Sequence, residues 1–477
     1  MKFLESIAPR ARNARNFLLL LCVCVWAGCA GVPADATLSA HPKNIIILFA
    51  DGVASTQWEY GRYSSGVLRQ QQFATTDIVF KRGTLGLAST YPHGAFVTDS
   101  AAAGSAMSTG FKVNNGAISI TPDGKPARTA MEVAKAAGKR IGLVTTATIY
   151  DATPAAFSVH AKSRTESQAI VDQYLALEPD VLIGGGAEYF QPKTAPGGKR
   201  SDGQDVIAAF RAKGWQVARN TAELKSANGA KVLGLFADDD MDLEIDRDAV
   251  QEPTTAEMAA AALKALSQTN PNGFVLLVEN ENTDTAGHAN DAAALMRALW
   301  AFDDAVKVAL EFQRANPDTL IIITGDHETG GFSPTYAQKD LTSLGSSNRL
   351  TVGEAQLQML ARITMSLNRV REKLGDRTEG AALDALLAEH FPEFKLDKEL
   401  RELVLQNRPL ERNAAYAPLQ NTLARMIARQ SGFYWGTSGH TPEPVVIGAL
   451  GPGAEVFRGY QDNTDFGKSL HRLIIGR

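Results

Sequence analysis

Cysteine is scarce in this sequence of 477 residues, and it is confined to one end of the chain. The three cysteines are Cys22, Cys24 and Cys29. Beyond them, the chain can form no disulfide and no metal site built from thiolates. Any soft metal bound by that part of the chain must be held by histidine and carboxylate side chains.

A large excess of charge of either sign is also missing. The formal net charge is -4 and the isoelectric point is near 6.1, so there is no sign of the basic surface that a nucleic acid requires. Repeats of solenoid length and low-complexity tracts are absent as well. With 44% hydrophobic and 21% charged residues, the composition is that of a globular protein with a large core.

The N-terminus carries a short apolar run, NFLLLLCVCVWAGCAG, directly after three closely spaced arginines. A basic region followed by an apolar run too short for a comfortable membrane span is typical of an export signal. Two processing routes stay open: ADA ending at Ala36 is an A-x-A cleavage site, whereas WAGC resembles a bacterial lipobox with Cys29 as the lipidated residue. Residues 1–36 are therefore predicted to direct export, either to the periplasm or to a lipid anchor in the bacterial envelope.

Several apolar runs have the length and the β-branched composition of buried strands. They are NIIILFAD (44–51), RIGLVTTAT (140–148), DVLIGGG (180–186), GFVLLVEN (273–280), DTLIIITGDH (318–327) and PVVIGALG (444–451). Because they do not alternate polar and apolar residues, they predict a sheet covered on both faces and hence mostly parallel. Helical patterns lie between them, so the fold class predicted is α/β, with a doubly wound, mostly parallel sheet flanked by helices.

One segment, residues 353–429, does not follow this alternation. It is charged and helical in pattern, with apolar stripes at helical spacing that are typical of core packing: Leu360, Ile363, Leu367, Val370 and Leu374, then Leu383, Leu386, Leu387 and Phe391. We interpret it as a helical insertion between two parts of one catalytic domain, residues 42–352 and 430–477.

Side chains suited to metal binding stand at or beside the ends of the predicted strands. They are Asp51, Asp151, Thr153, Glu279, Asp326, His327 and His440. In an open α/β sheet, ligands bind beyond the carboxyl ends of the strands. Each of these residues alone is equally typical of a turn or a helix cap. Independent turns would not place acids at so many strand ends, so the joint pattern predicts a ligand site at this edge.

A second group follows in the sequence VENENTDTAGHAND. Asp284 and His288 are four residues apart, so on a helix they share one side. One carboxylate and two imidazoles suit a zinc ion that keeps a position open for substrate, with His440 as the third ligand. The alternative is a solvated helix N-terminus rich in capping residues.

Ser100 lies in FVTDSAAAGSAMSTG, between an aspartate and a run of alanines and glycine. A buried turn would explain this pattern, and so would a nucleophile that needs open space above it. Because Ser100 opens a helix-like stretch, the helix N-terminus would favour an alkoxide there and an anion above it. A serine hydroxyl is a weak nucleophile at neutral pH, and a metal can promote its deprotonation.

The motifs together resemble those of bacterial alkaline phosphatases. In order along the chain they are FADG, VTDSAAAGSAMSTG, DATPAAFSVHAKSR, VLIGGG, VENENTDTAGHAND, TGDHETGG and SGHTPEPV. They occur in the family's order from residue 44 to the C-terminus, with only the N-terminal signal and the insertion outside the resemblance. The resemblance implies hydrolysis of phosphate monoesters through a phosphoserine intermediate at Ser100, with two Zn²⁺ and one Mg²⁺ as cofactors.

The resemblance also implies a role for each matching residue. Asp284, His288 and His440 correspond to the ligands of the zinc that holds the leaving-group oxygen, and Asp51, Asp326 and His327 to those of the zinc that holds the serine oxygen. Asp51, Thr153 and Glu279 correspond to the magnesium site. Arg164 matches the arginine that clamps the phosphoryl oxygens, Asp99 a residue that positions it, and Asp151 a residue beside the third metal.

The sequence departs from the family pattern at Thr285, where relatives often carry lysine, histidine or tryptophan. Two other functions stay in view: a phosphodiesterase of the same superfamily, and a metal- or phosphate-binding protein without turnover. Arg164 speaks against the first, since its charge suits the dianion of a monoester better than a diester. Small phosphate monoesters are the expected partners, a homodimer is expected by resemblance, and a membrane is expected only through a lipid on Cys29.

Overall fold

The computed structural model describes residues 41–338, 349–375, 379–412 and 417–476. The predicted export signal, including Cys29 and Ala36, lies outside these residues. Within the described part of the chain, no helix combines the length and apolar character that a membrane crossing requires.

The strands pair mainly into one ten-stranded sheet with the order β16-β2-β15-β8-β1-β7-β3-β4-β6-β5. All neighbours in it run parallel except β15, which is antiparallel to both β2 and β8. Short pairs, β9 with β14, β10 with β13 and β11 with β12, lie beside it. The strands are Asn44–Ala50 (β1), Thr84–Ser89 (β2), Arg140–Thr148 (β3), Val181–Gly185 (β4), Gln216–Ala218 (β5), Val232–Leu235 (β6), Phe274–Asn280 (β7), Thr319–Thr324 (β8), Glu328–Thr329 (β9), Phe332–Pro334 (β10), Tyr336–Gln338 (β11), Arg349–Thr351 (β12), Phe433–Trp435 (β13), His440–Thr441 (β14), Val445–Leu450 (β15) and Gly459–Asp462 (β16).

Helices connect most of these strands and flank the sheet. They are Ser55–Ser64 (α1), Ser100–Thr109 (α2), Ala130–Ala136 (α3), Ala152–Ala156 (α4), Ser167–Leu177 (α5), Val206–Ala212 (α6), Thr221–Ser226 (α7), Thr255–Ser267 (α8), Asn282–His288 (α9), Ala292–Ala315 (α10), Glu354–Ala361 (α11), Leu367–Leu374 (α12), Gly380–His390 (α13), Lys398–Leu405 (α14), Pro418–Ser431 (α15) and Asn463–Ile475 (α16).

The central strand β1 shows why both faces of the sheet are covered. Its side chains alternate between two apolar cores: Ile46 packs in the cluster that contains Leu299 of α10, and Ile47 in the cluster that contains Leu470 of α16. Fully burying one such side chain stabilises the fold by about 1.5–3 kcal/mol. Continuous β-branched runs therefore predict this doubly covered, mostly parallel sheet correctly.

Strand register brings the predicted ligands to one edge. Phe49 of β1 is level with Glu279 on one side and with Thr324 on the other. Asp51 lies two residues beyond Phe49, and Asp326 two residues beyond Thr324. Because the three strands are parallel, their carboxyl ends coincide and these acids emerge together.

All six predicted strand runs form strands, whereas strands toward the two edges of the sheet lie outside the predicted set. In β2, exposed Leu85 and Leu87 alternate with buried positions, since one face of that strand meets solvent. Its neighbour β16 is short and begins at Gly459. Neither has the continuous apolar run that identifies a buried strand.

The described residues of the segment 353–429 lie in helices α11 to α15 or in the connections between them, but the first apolar stripe is not one helix. Leu360 lies in the last turn of α11, which ends at Ala361. After a break, Leu367 begins α12. Ser366 caps the second helix, because its hydroxyl accepts from the backbone N–H of Arg369 at the start of α12. The stripe is nevertheless core: Leu360, Ile363 and Leu367 are fully buried.

Candidate active site

Ser100 is the first residue of α2 and is almost completely buried. Asp99 caps this helix: one carboxylate oxygen accepts from the N–H of Ala102 at 2.9 Å and the other from the N–H of Gly116 at 2.9 Å. The hydroxyl of Ser100 therefore sits where the unpaired amides and the dipole of a helix N-terminus favour negative charge. The small side chains of α2 leave the space around it free.

His327 faces this hydroxyl from the end of β8. Its Nε2 lies 3.1 Å from Ser100 Oγ, and its ring stacks on His440 with centroids 3.6 Å apart. Burial, followed by repulsion from His440, lowers the pKa of His327 well below its ordinary value. The ring is therefore neutral, so it can act as a metal ligand.

Asp284, His288 and His440 form one group of metal-binding atoms. The Nδ1 atom of His288 donates to the carbonyl of Ser438 at 2.7 Å, and Nδ1 of His440 donates to the carbonyl of Thr98 at 2.8 Å. A carbonyl can only accept, so these bonds direct each Nε2 toward the group. Such carbonyl contacts are the usual way in which ligand histidines are oriented.

The electrostatics of this group attract a cation. Burial opposes the charge on His288, but the Asp284 carboxylate outweighs it and raises the pKa of His288 to about 9. Burial likewise opposes the charge on Asp284, but His288 and His440 hold its pKa well below the ordinary range. The carboxylate thus recruits either a proton or a metal ion to this position.

A second group adjoins the first and shares Asp284 with it. It joins Asp284 to Asp51 and His327. Asp326, predicted with them, is equally near: its Oδ2 lies 3.2 Å from His327 Nε2, and Asp51 Oδ1 lies 3.6 Å from the same atom. Both of those carboxylate oxygens are buried, with no hydrogen-bond partner among the described residues. Buried, unpartnered carboxylate oxygens beside an imidazole fit a divalent cation.

A third cluster adjoins the second one at Asp51. Thr153 Oγ1 is 3.4 Å from Asp51 Oδ2, and Glu279 accepts a hydrogen bond from Thr145 Oγ1 at 2.5 Å. These are oxygen donors only, the type that magnesium prefers. Thr145 was not predicted as a site residue; its signal is the group of threonines in the second half of a buried strand.

The carboxylates of these clusters are buried and lie close to one another. Burial, and then repulsion from Asp326, raises the pKa of Asp51 well above its ordinary value. Burial and then Asp284 raise the pKa of Asp326 to about 7, and burial raises that of Glu279 to about 8. Several divalent cations would let all of them ionise together.

Arg164 borders the same space. Its guanidinium donates to both oxygens of Asp151, at 2.9 and 3.1 Å, and lies 3.6 Å from Asp99. Burial alone would lower the pKa of Arg164, but Asp151 and then Asp99 hold it above its ordinary value. Asp151, expected beside the third metal, is thus also the closest partner of this arginine.

Thr285, where the sequence departs from the family pattern, points its hydroxyl to an acid. It donates to the two carboxylate oxygens of Glu281 at 2.7 and 2.9 Å. Burial, and then Asp240, raises the pKa of Glu281 well above its ordinary value. Sequence reasoning missed Glu281, whose signal is a further acid between Glu279 and Asp284.

Part of this group of side chains lines a cleft of about 1390 Å³: Ser100, Asp151, Arg164, Asp284, Thr285, His288 and His440. The helical segment contributes to its lining through Asn368, Arg371, Glu372, Asn407 and Gln420. A substrate in the cleft would therefore meet this segment as well as the sheet edge.

The chain is similar to several known proteins. A family model described as alkaline phosphatase matches residues 42–474. The chain is 31% identical to alkaline phosphatase 3 of Bacillus subtilis, over 91% of this chain and 89% of that protein. It is 32% identical to the repressible alkaline phosphatase of Saccharomyces cerevisiae, over 91% of this chain and 82% of that protein.

A solved structure is similar to this chain as well. The crystal structure of Thermus thermophilus alkaline phosphatase superposes with a TM-score of 0.83 at 31% identity, covering 92% of each chain. With the family model spanning nearly the whole described chain, the chain belongs to the alkaline phosphatase family, the metal-dependent hydrolases of phosphate monoesters.

Proposed function

We propose that this protein converts phosphate monoesters to an alcohol and inorganic phosphate through a phosphoserine at Ser100, using two Zn²⁺ and one Mg²⁺. The observation that carries the proposal is the position of Ser100 Oγ, 3.1 Å from His327 Nε2 at the edge of two adjoining ligand groups. A nucleophile there would attack a phosphoryl group held between those groups and Arg164.

The proposed metal assignment follows the donor chemistry. Asp284, His288 and His440 would hold one zinc, and Asp51, Asp326 and His327 the other. Asp51, Thr153 and Glu279 offer only oxygens and would hold magnesium. When bound, the zinc ions would favour ionised oxygen nucleophiles and stabilise the attacking and leaving oxygens of an in-line displacement.

The chain's own groups account for the remaining steps. The guanidinium of Arg164 would bind two non-bridging oxygens of the phosphoryl group, and the amides at the start of α2 would add to their stabilisation. Ser100 Oγ would form a bond to phosphorus as the ester P–O bond breaks and the alcohol leaves with a proton. Water would then attack the phosphoserine, releasing phosphate and restoring the hydroxyl of Ser100.

The test is hydrolysis of p-nitrophenyl phosphate across alkaline pH. We expect activity that falls after chelation, returns with zinc and magnesium, and drops by orders of magnitude in Ser100→Ala. Activity indifferent to both treatments would refute the proposal. A higher rate on bis-p-nitrophenyl phosphate would indicate a diesterase, and tight phosphate binding without turnover would indicate a binding protein.

We further propose that residues 1–36 direct export, with the mature protein either released by cleavage at Ala36 or lipidated at Cys29, and that it forms a homodimer. The mass of the envelope-derived protein distinguishes the two forms, since a lipid on Cys29 adds mass that cleavage at Ala36 does not. Light scattering of the purified protein tests the dimer.

A further inference from the structure

Asn421 belongs to α15, within the helical segment 353–429, yet its side chain reaches the turn that follows α9. Its Nδ2 donates to the backbone carbonyl of His288 at 2.9 Å and to Oδ1 of Asn290 at 3.0 Å. Its Oδ1 accepts from the N–H of Ala417 at 3.3 Å. A reversed amide would point oxygen at two acceptors, so these partners determine its orientation.

Asn290 carries the connection onward. Its Nδ2 donates to the carbonyl of Thr437 at 2.8 Å, and its backbone is left-handed, with φ of 55°. The next carbonyl, that of Ser438, accepts from the His288 ring. Both contacts lie in the loop that leads to His440. The side chains of Asn421 and Asn290 therefore link the turn holding one imidazole to the loop holding the other.

This linkage connects two parts of the chain that are far apart in the sequence. His288 and His440 are 152 residues apart, yet their Nε2 atoms meet at 3.2 Å. His288 ends α9, and the last carbonyls of a helix have no intrahelical partner. Asn421 is 5% exposed, so its bonds to the His288 carbonyl and to Asn290 are made away from water.

We propose that Asn421 is a positioning residue for the metal held by Asp284, His288 and His440, and that the helical segment is thereby part of the metal centre. This inference rests on the metal assignment made above. Loss of groups that orient metal ligands costs about 10–100-fold in metal affinity. We expect a loss of that size for this metal alone.

Two substitutions separate this role from simple packing. Asn421→Ala removes the whole amide. Asn421→Asp keeps its shape and the acceptor for the Ala417 N–H, but removes the donor to the His288 carbonyl. The first measurement is the zinc affinity of the mature protein, determined by competition with a chromophoric chelator. The second is the visible spectrum of the Co²⁺-substituted protein. Both variants should lose affinity at one site and change one Co²⁺ band.

Gln430→Ala is the matched control, because Gln430 lies on the same helix and bonds both the N–H and the carbonyl of Lys395. It should leave zinc binding unchanged. Wild-type affinity in either Asn421 variant, or an equal loss in Gln430→Ala, overturns the inference. His288→Ala identifies which binding step belongs to this metal; if that variant keeps every tight zinc, the metal assignment itself is wrong.

Discussion

The Nε2 atoms of His288 and His440 lie 3.2 Å apart, and the Nδ1–H of each ring donates a hydrogen bond to a backbone carbonyl. Two ring nitrogens in this arrangement cannot both be unprotonated acceptors without repulsion. A shared cation removes that repulsion and satisfies Asp284 at the same time. The folded chain therefore presents a candidate cation site at this position.

The first prediction follows from linkage between metal binding and folding. Zinc at one hundred times its dissociation constant should raise the free energy of unfolding by about 2.7 kcal/mol. Calorimetry with and without zinc measures this gain. His440→Ala should lose the part of this gain that comes from the zinc held by Asp284, His288 and His440, whereas His93→Ala, which changes an exposed histidine bonded to Asn114, should keep the whole gain. An equal gain in both variants would count against the site.

The second prediction concerns Arg164. Arg164→Ala should lower kcat/KM by about 100-fold, or about 2.7 kcal/mol of transition-state stabilisation, and weaken inhibition by phosphate. Asp151→Asn should have a smaller effect of the same kind, because the guanidinium keeps its neighbour Asp99. Steady-state kinetics checks both, with the exposed Arg458→Ala as control. Unchanged phosphate inhibition in Arg164→Ala would contradict the assignment.

The third prediction concerns Gly52, directly after Asp51. Its φ is 72°, and a Cβ there would lie 2.7 Å from Asp284 Oδ1 and 2.8 Å from Thr329 Oγ1. Gly52→Ala should therefore displace a ligand and reduce both zinc content and activity. Gly66→Ala is the control, since a Cβ at that position would meet no atom of the described residues within 4 Å beyond its own stretch of backbone. Full zinc content in Gly52→Ala, measured by atomic absorption, would contradict this.

The grouping of the predicted ligands could be foreseen because the strands that carry them can be identified from the sequence. A run of β-branched residues identifies a buried strand, and parallel strands bring their carboxyl ends to one edge. Asp51, Glu279 and Asp326 were therefore predictable as neighbours from three separate runs. The four-residue spacing of Asp284 and His288 likewise placed both side chains on one face of a helix.

Contacts between elements were not predictable in this way. Asn421 lies in a helix whose sequence gives no indication that it reaches His288. The sequence around Glu281 does not show that the fold places Thr285 and Asp240 beside it. The apolar stripe is divided between α11 and α12, and Ser366 caps the start of α12 within it. Such features depend on tertiary packing rather than on local pattern.

The last prediction concerns His160 and Glu132, whose side chains lie 3.2 Å apart, away from the metal ligands. Burial opposes charge on both, but their hydrogen bond raises the pKa of His160 and lowers that of Glu132. The histidine contribution to stability is present below its unfolded pKa of about 6.5 and is lost as pH rises through the raised folded value. The glutamate contribution is present above about 4.3 and is lost as pH falls through the lowered folded value.

The pair should therefore stabilise the fold most between about pH 4.3 and 6.5. His160→Gln should cost more at about pH 5.5 than at about pH 8.5, by up to about 1 kcal/mol because both groups are partly exposed. Urea unfolding of the two proteins at both pH values measures the difference. The metal ligands titrate alike in the two proteins, so their contribution cancels. An equal cost at both pH values would show that His160 contributes only through its neutral hydrogen bonds, such as that to the carbonyl of Ser119.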